Sequence, residues 1–410
     1  MNSGDIPMTS SGLAREAGHA FGEESPLLQS TGEDVRFRVE MRRVSDAAAL
    51  LRCLDGLEAN VSQSPLWLEC WLSVFGRAKG IEPFVILLRD TTAQIRLALP
   101  LVRREENGLK FLEAMDLGVS DYIAPLIRRE GHEELPSAET LWRLIGKVLP
   151  EADVLRLERM APVVAGMANP LFQHPRARLN RLAGWAAPEC GNWEEFFAGL
   201  SPKQKDNSGK NRRRFLRQPG AAIHIVREPD EGLAMLDRLD AFQKGRIGDK
   251  GLDYCLDRSD IAAFYRMLTV RGIGSGQVLI AQMRAGEEIV AVNFAVLAGR
   301  EALYLRVGNQ FGEWGKMSPG VMVTELAIEE AFRRGIRVFD FGMGDYVYKR
   351  RLGAQAFPLR DLVLPLSLRG APFALLWHAR SWASRNPFVR RLTGRAVLSG
   401  DDSAVEGAAA

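Results

Sequence analysis

The chain of 410 residues lacks the sequence signals of several common protein classes. It has no run of about 18 apolar residues, so no membrane-spanning helix is expected. It contains no Gly-x-Ser-x-Gly stretch, which disfavours a hydrolase with a serine nucleophile. Its five histidines are scattered, and its four cysteines form no CxxC pair, so neither a metal site nor a disulfide framework is expected. The cysteines are Cys53, Cys70, Cys190 and Cys255.

Both ends of the chain lack periodic apolar positions. Residues 1–34 are rich in Ser, Gly, Glu and Thr, which predicts a disordered leader, and residues 401–410 predict a disordered tail. No basic segment followed by an apolar one opens the sequence, so no signal peptide is expected. With no disulfide pattern, the expectation is a reducing compartment and a cytoplasmic location.

What the chain does contain is ordinary globular composition, with 46% hydrophobic and 26% charged residues. Its length predicts two or three domains. The net charge of +3 is small for this length, so overall charge does not indicate a nucleic-acid partner.

The order of predicted elements repeats. In the first part of the chain, strands joined by short turns precede a helix at 135–149 and a strand at 154–159. In the second part, a strand series over 277–307 precedes a helix at 319–334 and a strand at 338–341. The repetition predicts two similar α+β domains, each a mixed, mostly antiparallel sheet flanked by helices. The predicted boundaries are 35–180 for the first domain, 190–370 for the second and 371–400 for a C-terminal helix, with the linker inside 174–190.

The most informative stretch is RVFDFGMGDYVYKRRLG, residues 337–353. It predicts a buried strand that ends in a flexible turn, Gly342 to Gly344. Four polar residues follow the turn, and polar groups held at a strand end are typical of binding sites. They are Asp345, Tyr348, Lys349 and Arg350.

This order of helix, strand, glycine turn, acid, tyrosine and lysine resembles the GNAT-like acyltransferases of the CelD/BcsL cellulose-biosynthesis family, relatives of the FemAB-type transferases. The resemblance extends over roughly Phe84 to Pro365 and is clearest in the second half. It implies two tandem GNAT-like domains and acyl transfer from acetyl-CoA or another acyl-CoA, without a metal, to an amine or hydroxyl acceptor by direct attack. By association it also implies a role in polysaccharide or cell-envelope metabolism, with a small-molecule or glycan acceptor.

The resemblance implies a site at the helix that begins at Pro319. In that superfamily such a helix start binds the coenzyme A pyrophosphate, which assigns cofactor binding to Lys316, Ser318, Gly320 and Arg350. The superfamily's usual Arg/Gln-x-x-Gly-x-Gly/Ala signature is absent here, and an ordinary Ser-Pro helix cap explains the same residues.

The strand before that helix is expected to contain a bulge within Tyr304 to Gly308, whose backbone N–H polarises the thioester carbonyl. Tyr304 and Arg306 alternate on one predicted face, where they would meet substrate or solvent.

The loop residues receive roles by the same resemblance. Asp345 is the expected base or its orienting group, Tyr348 the acid, and Lys349 a ligand of phosphate or of the oxyanion. A solvated loop explains the same composition. In the first half, Asp121-Tyr122 resembles a family element and is expected at the interface of the domains, although a buried turn explains it equally.

A basic stretch over residues 203–217 predicts a helix that attracts a polyanion, namely tRNA, coenzyme phosphates or an anionic lipid. Its cations are Lys203, Lys205, Lys210, Arg212, Arg213, Arg214 and Arg217. A solvated helix face is the alternative.

Two other functions remain open on the sequence. One is FemAB-type aminoacyl transfer from charged tRNA, and the other is a non-catalytic scaffold of an envelope-synthesis complex. A basic amphipathic segment at 373–392, with Trp377 and Trp382, predicts either peripheral membrane contact or a packing helix.

Overall fold

A computed structural model describes residues 36–248 and 258–385. The predicted leader at 1–34, the predicted tail at 401–410 and the part of the predicted C-terminal helix beyond Arg385 lie outside the described residues. The helices are α1 (Ala47–Leu54), α2 (Pro65–Phe75), α3 (Ala138–Gly146), α4 (Trp193–Gly199), α5 (Pro202–Leu216), α6 (Pro229–Gly248), α7 (Ser259–Gly274), α8 (Pro319–Arg333), α9 (Val347–Arg351) and α10 (Ala371–Arg385).

The longer strands are β1 (Phe37–Arg43), β2 (Ile81–Asp90), β3 (Ile95–Glu106), β4 (Leu109–Ala114), β6 (Val154–Met160), β9 (Arg178–Ala186), β10 (Ala221–Ile225), β11 (Val278–Ala285), β12 (Glu288–Ala298), β13 (Glu301–Asn309), β14 (Val338–Met343) and β15 (Gln355–Pro365). Three two-residue strands complete the set: β5 (Leu126–Ile127), β7 (Val163–Val164) and β8 (Met167–Ala168). We call β1 to β6 with their connections the first half, and α4 through α9 the second half.

Local sequence signals place several of these elements. The Ser64 side chain caps α2 by accepting a hydrogen bond from the Trp67 amide, and Pro65 occupies the first helical position. Asn107 and Gly108 both take positive φ and join β3 to β4 in a tight hairpin.

The fold is α+β, as predicted, but its halves share one sheet. The strand order is β1-β2-β3-β4-β6-β15-β9-β14-β13-β12-β11-β10. Strand β15 lies between β6 and β9 and pairs antiparallel with both. The loose linker predicted at 174–190 is wrong, because β9 occupies most of it and pairs with β14 and β15.

The two halves repeat one connection. In the first, β4 leads through α3 to β6, which lies parallel to β4. In the second, β13 leads through α8 to β14, which lies parallel to β13. Each parallel ladder is short, and beyond it the two strands separate. The duplication predicted from element order is therefore present in the topology.

Helices cover both faces of the sheet. A core shared by the halves places Trp67 of α2 against Phe264 of α7, with ring centroids 5.0 Å apart. A second core packs α8 against β11, β12 and β13 on the opposite face of the second half. A third core packs α3 against the first half. The packing of these three cores therefore holds the ends of β4 and β13 in place, where each strand separates from its parallel partner.

Candidate functional site

Strands β13 and β14 separate next to a bulge. Their parallel pairing covers Glu301 to Leu303 against Val338 to Asp340. In the ladder with β12, Phe294 pairs with Arg306 and Ala295 pairs with Tyr304, so Leu305 is an extra residue. The bulge predicted within Tyr304 to Gly308 is confirmed. An extra residue leaves the regular ladder, so its backbone groups are available to a ligand.

The bulge reverses the side-chain alternation that follows it. Tyr304 packs in the α8 core, with its ring stacked 5.4 Å from Phe341, and its buried hydroxyl has no partner among the described residues. Arg306 lies on the other face, where its guanidinium contacts Asp240 and Gln243 of α6. The prediction that Tyr304 and Arg306 share a face is wrong, because the extra residue between them turns Arg306 over.

The start of α8 packs against the end of β13, where Gly320 lies beside Val307 and Asn309. Ser318 has the left-handed conformation, with φ 50°, and its side chain makes no capping hydrogen bond. The alternative of an ordinary Ser-Pro cap therefore does not hold, because the Ser318 side chain does not cap the helix. A non-glycine residue in this conformation costs about 1–2 kcal/mol, and such residues cluster at functional sites. Gly320 is needed for close packing, because a Cβ there would lie 2.8 Å from Asn309 Oδ1.

The basic helix α5 lies across α8. Gln204 and Ser208 both donate hydrogen bonds to the buried carboxylate of Glu325, whose pKa is raised by burial. A cavity of about 240 Å³ separates α4 and α5 from α8. Beside it, a smaller crevice brings residues of α5, α8 and α9 together. Its polar lining residues include Asn207, Asn211, Ser318 and Arg351.

One face of α5 extends this crevice as a basic stripe. Relative to Asn207, Lys203 lies four residues earlier, Lys210 three residues later and Arg214 seven residues later. Helical periodicity therefore places these three cations on the Asn207 side of α5. Lys210 pairs with Asp206, whereas Lys203 and Arg214 have no ion-pair partner within the described ranges. The predicted basic helix is confirmed as a helix. Its Asn207 and Asn211 line the crevice with Ser318, whereas Arg212 pairs with Glu329 further along α8.

The loop after β14 does not have the arrangement expected from the sequence. Asp345 is 55% exposed and pairs with Arg350 at 2.8 Å, so both predicted groups lie at the surface and neutralise each other. Tyr348 is half-buried and packs against the α8 core. Lys316 is exposed at the end of a short 3-10 turn before Ser318. Arg351, which the sequence reasoning passed over, is the loop arginine that lines the crevice.

Lys349 points into the protein. Its side chain is fully buried, and its ammonium group donates to the carbonyl oxygens of Gly342, at 3.1 Å, and of Met343. Burial lowers the pKa of Lys349 to about 8, although Asp121, Asp340 and Asp345 act in the opposite direction. The role predicted for Lys349 as a phosphate or oxyanion ligand is contradicted by this burial. The lysine instead holds the Gly342-Met343 turn in place.

The first half reaches the same turn. Asp121 accepts a hydrogen bond from the Met343 amide at 2.8 Å, and the Tyr122 hydroxyl donates to Asp340. Asp121-Tyr122 therefore lies between the halves, as predicted. The Asp340 carboxyl is half-buried, and burial raises its pKa to about 7 even though hydrogen bonds from Tyr122 and the Gly342 amide lower it.

Asp340 was missed by the sequence reasoning. It is the third and last residue of the parallel ladder, so it sits where β13 and β14 separate. The available signal was a single carboxylate between Phe339 and Phe341, in a strand that is otherwise apolar. An ionisable group at such a position is a recognised indication of function.

The C-terminal helix α10 packs on the first half, where the Trp377 indole donates to Glu158 at 3.1 Å. This agrees with the packing-helix alternative for its described part. In the part of the chain that the structure describes, no helix is long and apolar enough to cross a bilayer.

Comparisons with known proteins agree with this architecture. Residues 202–350 match the family model described as "Acetyltransferase (GNAT) domain". The crystal structure of FemX aligns with a TM-score of 0.55 at 11% identity, covering 82% of this chain and 99% of that one. A tandem GNAT protein from the clavulanic acid biosynthesis pathway aligns with a TM-score of 0.40 at 10% identity, covering 80% of this chain and 99% of that one.

L-PGS from Bacillus licheniformis aligns with a TM-score of 0.45 at 13% identity, covering 80% of this chain and 96% of that one. No curated protein matches the chain. The FemX alignment shows a shared fold. The match to the GNAT domain model runs from α5 to α9, and the strand separation, bulge and helix start described above all lie inside the matched residues.

Proposed function

We propose that the protein transfers an acyl group from acyl-coenzyme A, with acetyl-CoA as the first donor to test, to an amine or hydroxyl acceptor by direct attack. The observation that carries this proposal is the bulge at Leu305, located beside the start of α8 where β13 and β14 separate. A thioester in that gap would meet a backbone N–H at its carbonyl, and the helix start would meet the pyrophosphate.

The chemistry requires two further groups. A base must accept the proton of the attacking acceptor, and an acid must protonate the thiolate that leaves. We assign the acid to Tyr304, because its buried hydroxyl has no partner among the described residues and lies next to the bulge. The roles of Asp345 as base and Tyr348 as acid are less well supported, since Asp345 is neutralised by Arg350 at the surface.

Calorimetric titration with acetyl-CoA tests the donor site. Two adjacent arginines provide a matched pair, because Arg351 lines the crevice with Ser318 whereas Arg350 is paired with Asp345. We expect Arg351→Ala to weaken binding about tenfold, as for a charged hydrogen bond, and Arg350→Ala to leave it within about twofold. Absence of binding by the unmodified protein would reject the proposal and leave the charged-tRNA and scaffold alternatives.

Aminoacyl transfer from charged tRNA is the second candidate, and the basic stripe on α5 favours it. A polyanion that contacts several of these cations would bind with an affinity that falls steeply as salt rises. Titration of aminoacylated tRNA at two salt concentrations, with Lys203→Ala combined with Arg214→Ala, tests this. An affinity for tRNA far above that for acetyl-CoA, lost in the double variant, would replace the coenzyme A proposal.

The acceptor class implied by the CelD/BcsL resemblance is a polysaccharide or cell-envelope precursor. An amino sugar such as glucosamine is therefore the first acceptor to test, with release of the coenzyme A thiol as the readout.

A further inference from the structure

Several polar atoms at the boundary of the halves have unused hydrogen-bonding capacity. We call this set the junction cluster; its members are Gln63, Ser120, Asp121, Tyr122, Glu301 and Asp340. Gln63 Oε1 and Ser120 Oγ are buried and have no partner among the described residues. Asp340 accepts both of its described hydrogen bonds at Oδ1, which leaves Oδ2 free on the described side chains.

The cluster is continuous across the two halves. Gln63 donates to the Tyr122 carbonyl at 3.0 Å, Ser120 precedes Asp121 in the chain, and Tyr122 donates to Asp340. Buried polar atoms without partners are rare in native proteins, and each calls for an explanation such as water or a ligand. Asp340, which accepts from Tyr122 of this set, is the last paired residue of β14, where the proposed thioester would react.

The unused atoms are mostly hydrogen-bond acceptors. The amide oxygen of Gln63 and the carboxylate of Asp340 only accept, and the Glu301 carboxyl has no described ion pair. The neighbouring cations are already engaged, since Lys349 donates to two backbone carbonyls and Arg159 pairs with Asp116 at 2.6 Å. An ammonium group, with three donors and a positive charge, is the complement of such a set.

We propose that the junction cluster binds the ammonium group of an amine acceptor, with Asp340 as the group that takes its proton. This deepens the proposed acyl transfer and rests on it. It selects an amine over a hydroxyl, because an ammonium group supplies more donors than a hydroxyl can and because Asp340, when ionised, gives the site a negative charge. Tyr122 and Gln63 are positioning residues from the first half.

The step balances without a further reactant. The ammonium loses one proton to the Asp340 carboxylate, and the neutral nitrogen attacks the thioester carbonyl carbon, so a C–N bond forms. The tetrahedral intermediate then collapses, the C–S bond breaks, and Tyr304 protonates the departing thiolate. Tyr304 regains its proton from the second proton of the nitrogen. Asp340 returns its proton to water. The products are an amide, the free thiol and one proton.

The charged and titratable groups that face Asp340 set its pH response. Asp121 raises the pKa of Asp340, the Lys349 ammonium lowers it, and the Tyr122 hydroxyl lowers it through its hydrogen bond. Burial is the main cause that raises the pKa of Glu301 to about 8, and Asp340 and Glu58 add to this rise. Asp340 accepts a proton when ionised, so the rate of transfer should rise with pH through about 7.

The test compares matched acceptors and two variants. Transfer from acetyl-CoA is measured for glucosamine against glucose, and for 1,4-diaminobutane against 1,4-butanediol. We expect transfer only to the amines. Asp340→Asn keeps the acceptor oxygen for Tyr122 and Gly342, and we expect it to lower kcat/KM about 100-fold or more while the acetyl-CoA Kd stays within about twofold.

Tyr122→Phe is the second variant, and its readout is the pH profile of transfer, which would not shift if the role of Tyr122 were purely structural. Loss of its hydrogen bond should raise the pKa of Asp340, so the rising limb of the pH profile should move to higher pH. A carboxyl carbon NMR signal, assigned to Asp340 by its absence in Asp340→Asn, should shift when an amine is added and stay unchanged with the matched alcohol.

The outcomes separate this proposal from the donor proposal. Acetyl-CoA binding without transfer to any amine and without an amine-dependent Asp340 shift would overturn the acceptor assignment alone. Transfer to the alcohols, or full activity in Asp340→Asn, would overturn it as well. Failure of acetyl-CoA to bind would overturn both.

Discussion

The two strand separations in this molecule have the same topology and different chemistry. In the first half the last parallel pair is Glu113 with Arg156, and in the second half it is Leu303 with Asp340. Glu113 accepts from both Arg156 and Arg104, so the charges at the first separation are neutralised in place. At the second, Asp340 faces an apolar strand partner and keeps one oxygen free on the described side chains.

The backbone also differs between the two strand separations, and it is regular only in the first half. The β3–β4 ladder is regular, and α3 is capped by the Ser137 side chain, which accepts from the Thr140 amide at 3.3 Å. In the second half β13 has its bulge and α8 begins at the uncapped, left-handed Ser318. A repeated fold therefore does not imply a repeated site. The first half satisfies its own polar groups, and the second half leaves several unsatisfied where a ligand would lie.

The largest expected effect comes from the turn that joins the halves. At Gly342, φ is +70°, and a Cβ would lie 2.1 Å from Asp121 Oδ2. We expect Gly342→Ala to lower the free energy of unfolding by about 3 kcal/mol and to abolish transfer, because it displaces Asp121 and strains the turn. Gly335→Ala is the control: its φ is +88° with nothing within 4 Å, so we expect about 1 kcal/mol.

Chemical denaturation measures both variants. Equal losses would show that the Asp121 contact contributes nothing beyond backbone strain, and the functional coupling of the halves would then lose its support.

The next effect is on the pH dependence of stability. The folded pKa of Asp340, about 7, lies above its ordinary value of 3.8, so the protein loses stability as pH rises between these values. Asp340→Asn removes this loss. We expect its stability relative to the unmodified protein to rise by about 1–2 kcal/mol from pH 4 to pH 8, after allowance for partial exposure. Unfolding free energies at the two pH values measure it.

Glu113→Gln is the matched change in the first half. Because Glu113 is paired with two arginines, we expect this variant to lose stability at pH 8, the opposite sign to Asp340→Asn. The same sign in both would mean that the two separations are electrostatically alike.

The smallest effects distinguish the two helix starts. Ser137→Ala removes a cap and should cost about 1 kcal/mol, without a change in acetyl-CoA binding. Ser318→Ala removes no cap, so stability should change by less than about 0.5 kcal/mol, while acetyl-CoA affinity falls about tenfold. Thermal unfolding and calorimetry measure the pair. If Ser137→Ala weakened acetyl-CoA binding and Ser318→Ala did not, the donor would bind at the start of α3.

The elements that could be predicted carry strong local signals. Ser64-Pro65 and Asn107-Gly108 determine their helix start and hairpin through contacts within a few residues. The bulge in β13 was located because its place relative to α8 is set by the family resemblance. Strands β9 and β15 were not recognised, because polar residues interrupt β9, Pro358 interrupts β15, and their partners are distant in the chain.

The site was harder to predict than the fold. Lys349 looked like a surface cation in a run of basic residues, and only its tertiary surroundings show that it is buried against two carbonyls. The assigned face of Arg306 was wrong because one extra residue reverses strand alternation. Burial and Asp121 raise the pKa of Asp340, whereas the hydrogen bond from Tyr122 lowers it. Both partners lie more than 200 residues earlier in the chain, so no local pattern reveals them.

Hydrogen–deuterium exchange with and without saturating acetyl-CoA tests the central claim most directly, because it observes both separations at once. The account predicts that acetyl-CoA slows exchange in peptides covering residues 303–307 and 318–323, and leaves those covering 111–116 and 137–141 unchanged. Protection in the first-half peptides, or none in the second-half peptides despite measurable binding, would contradict it.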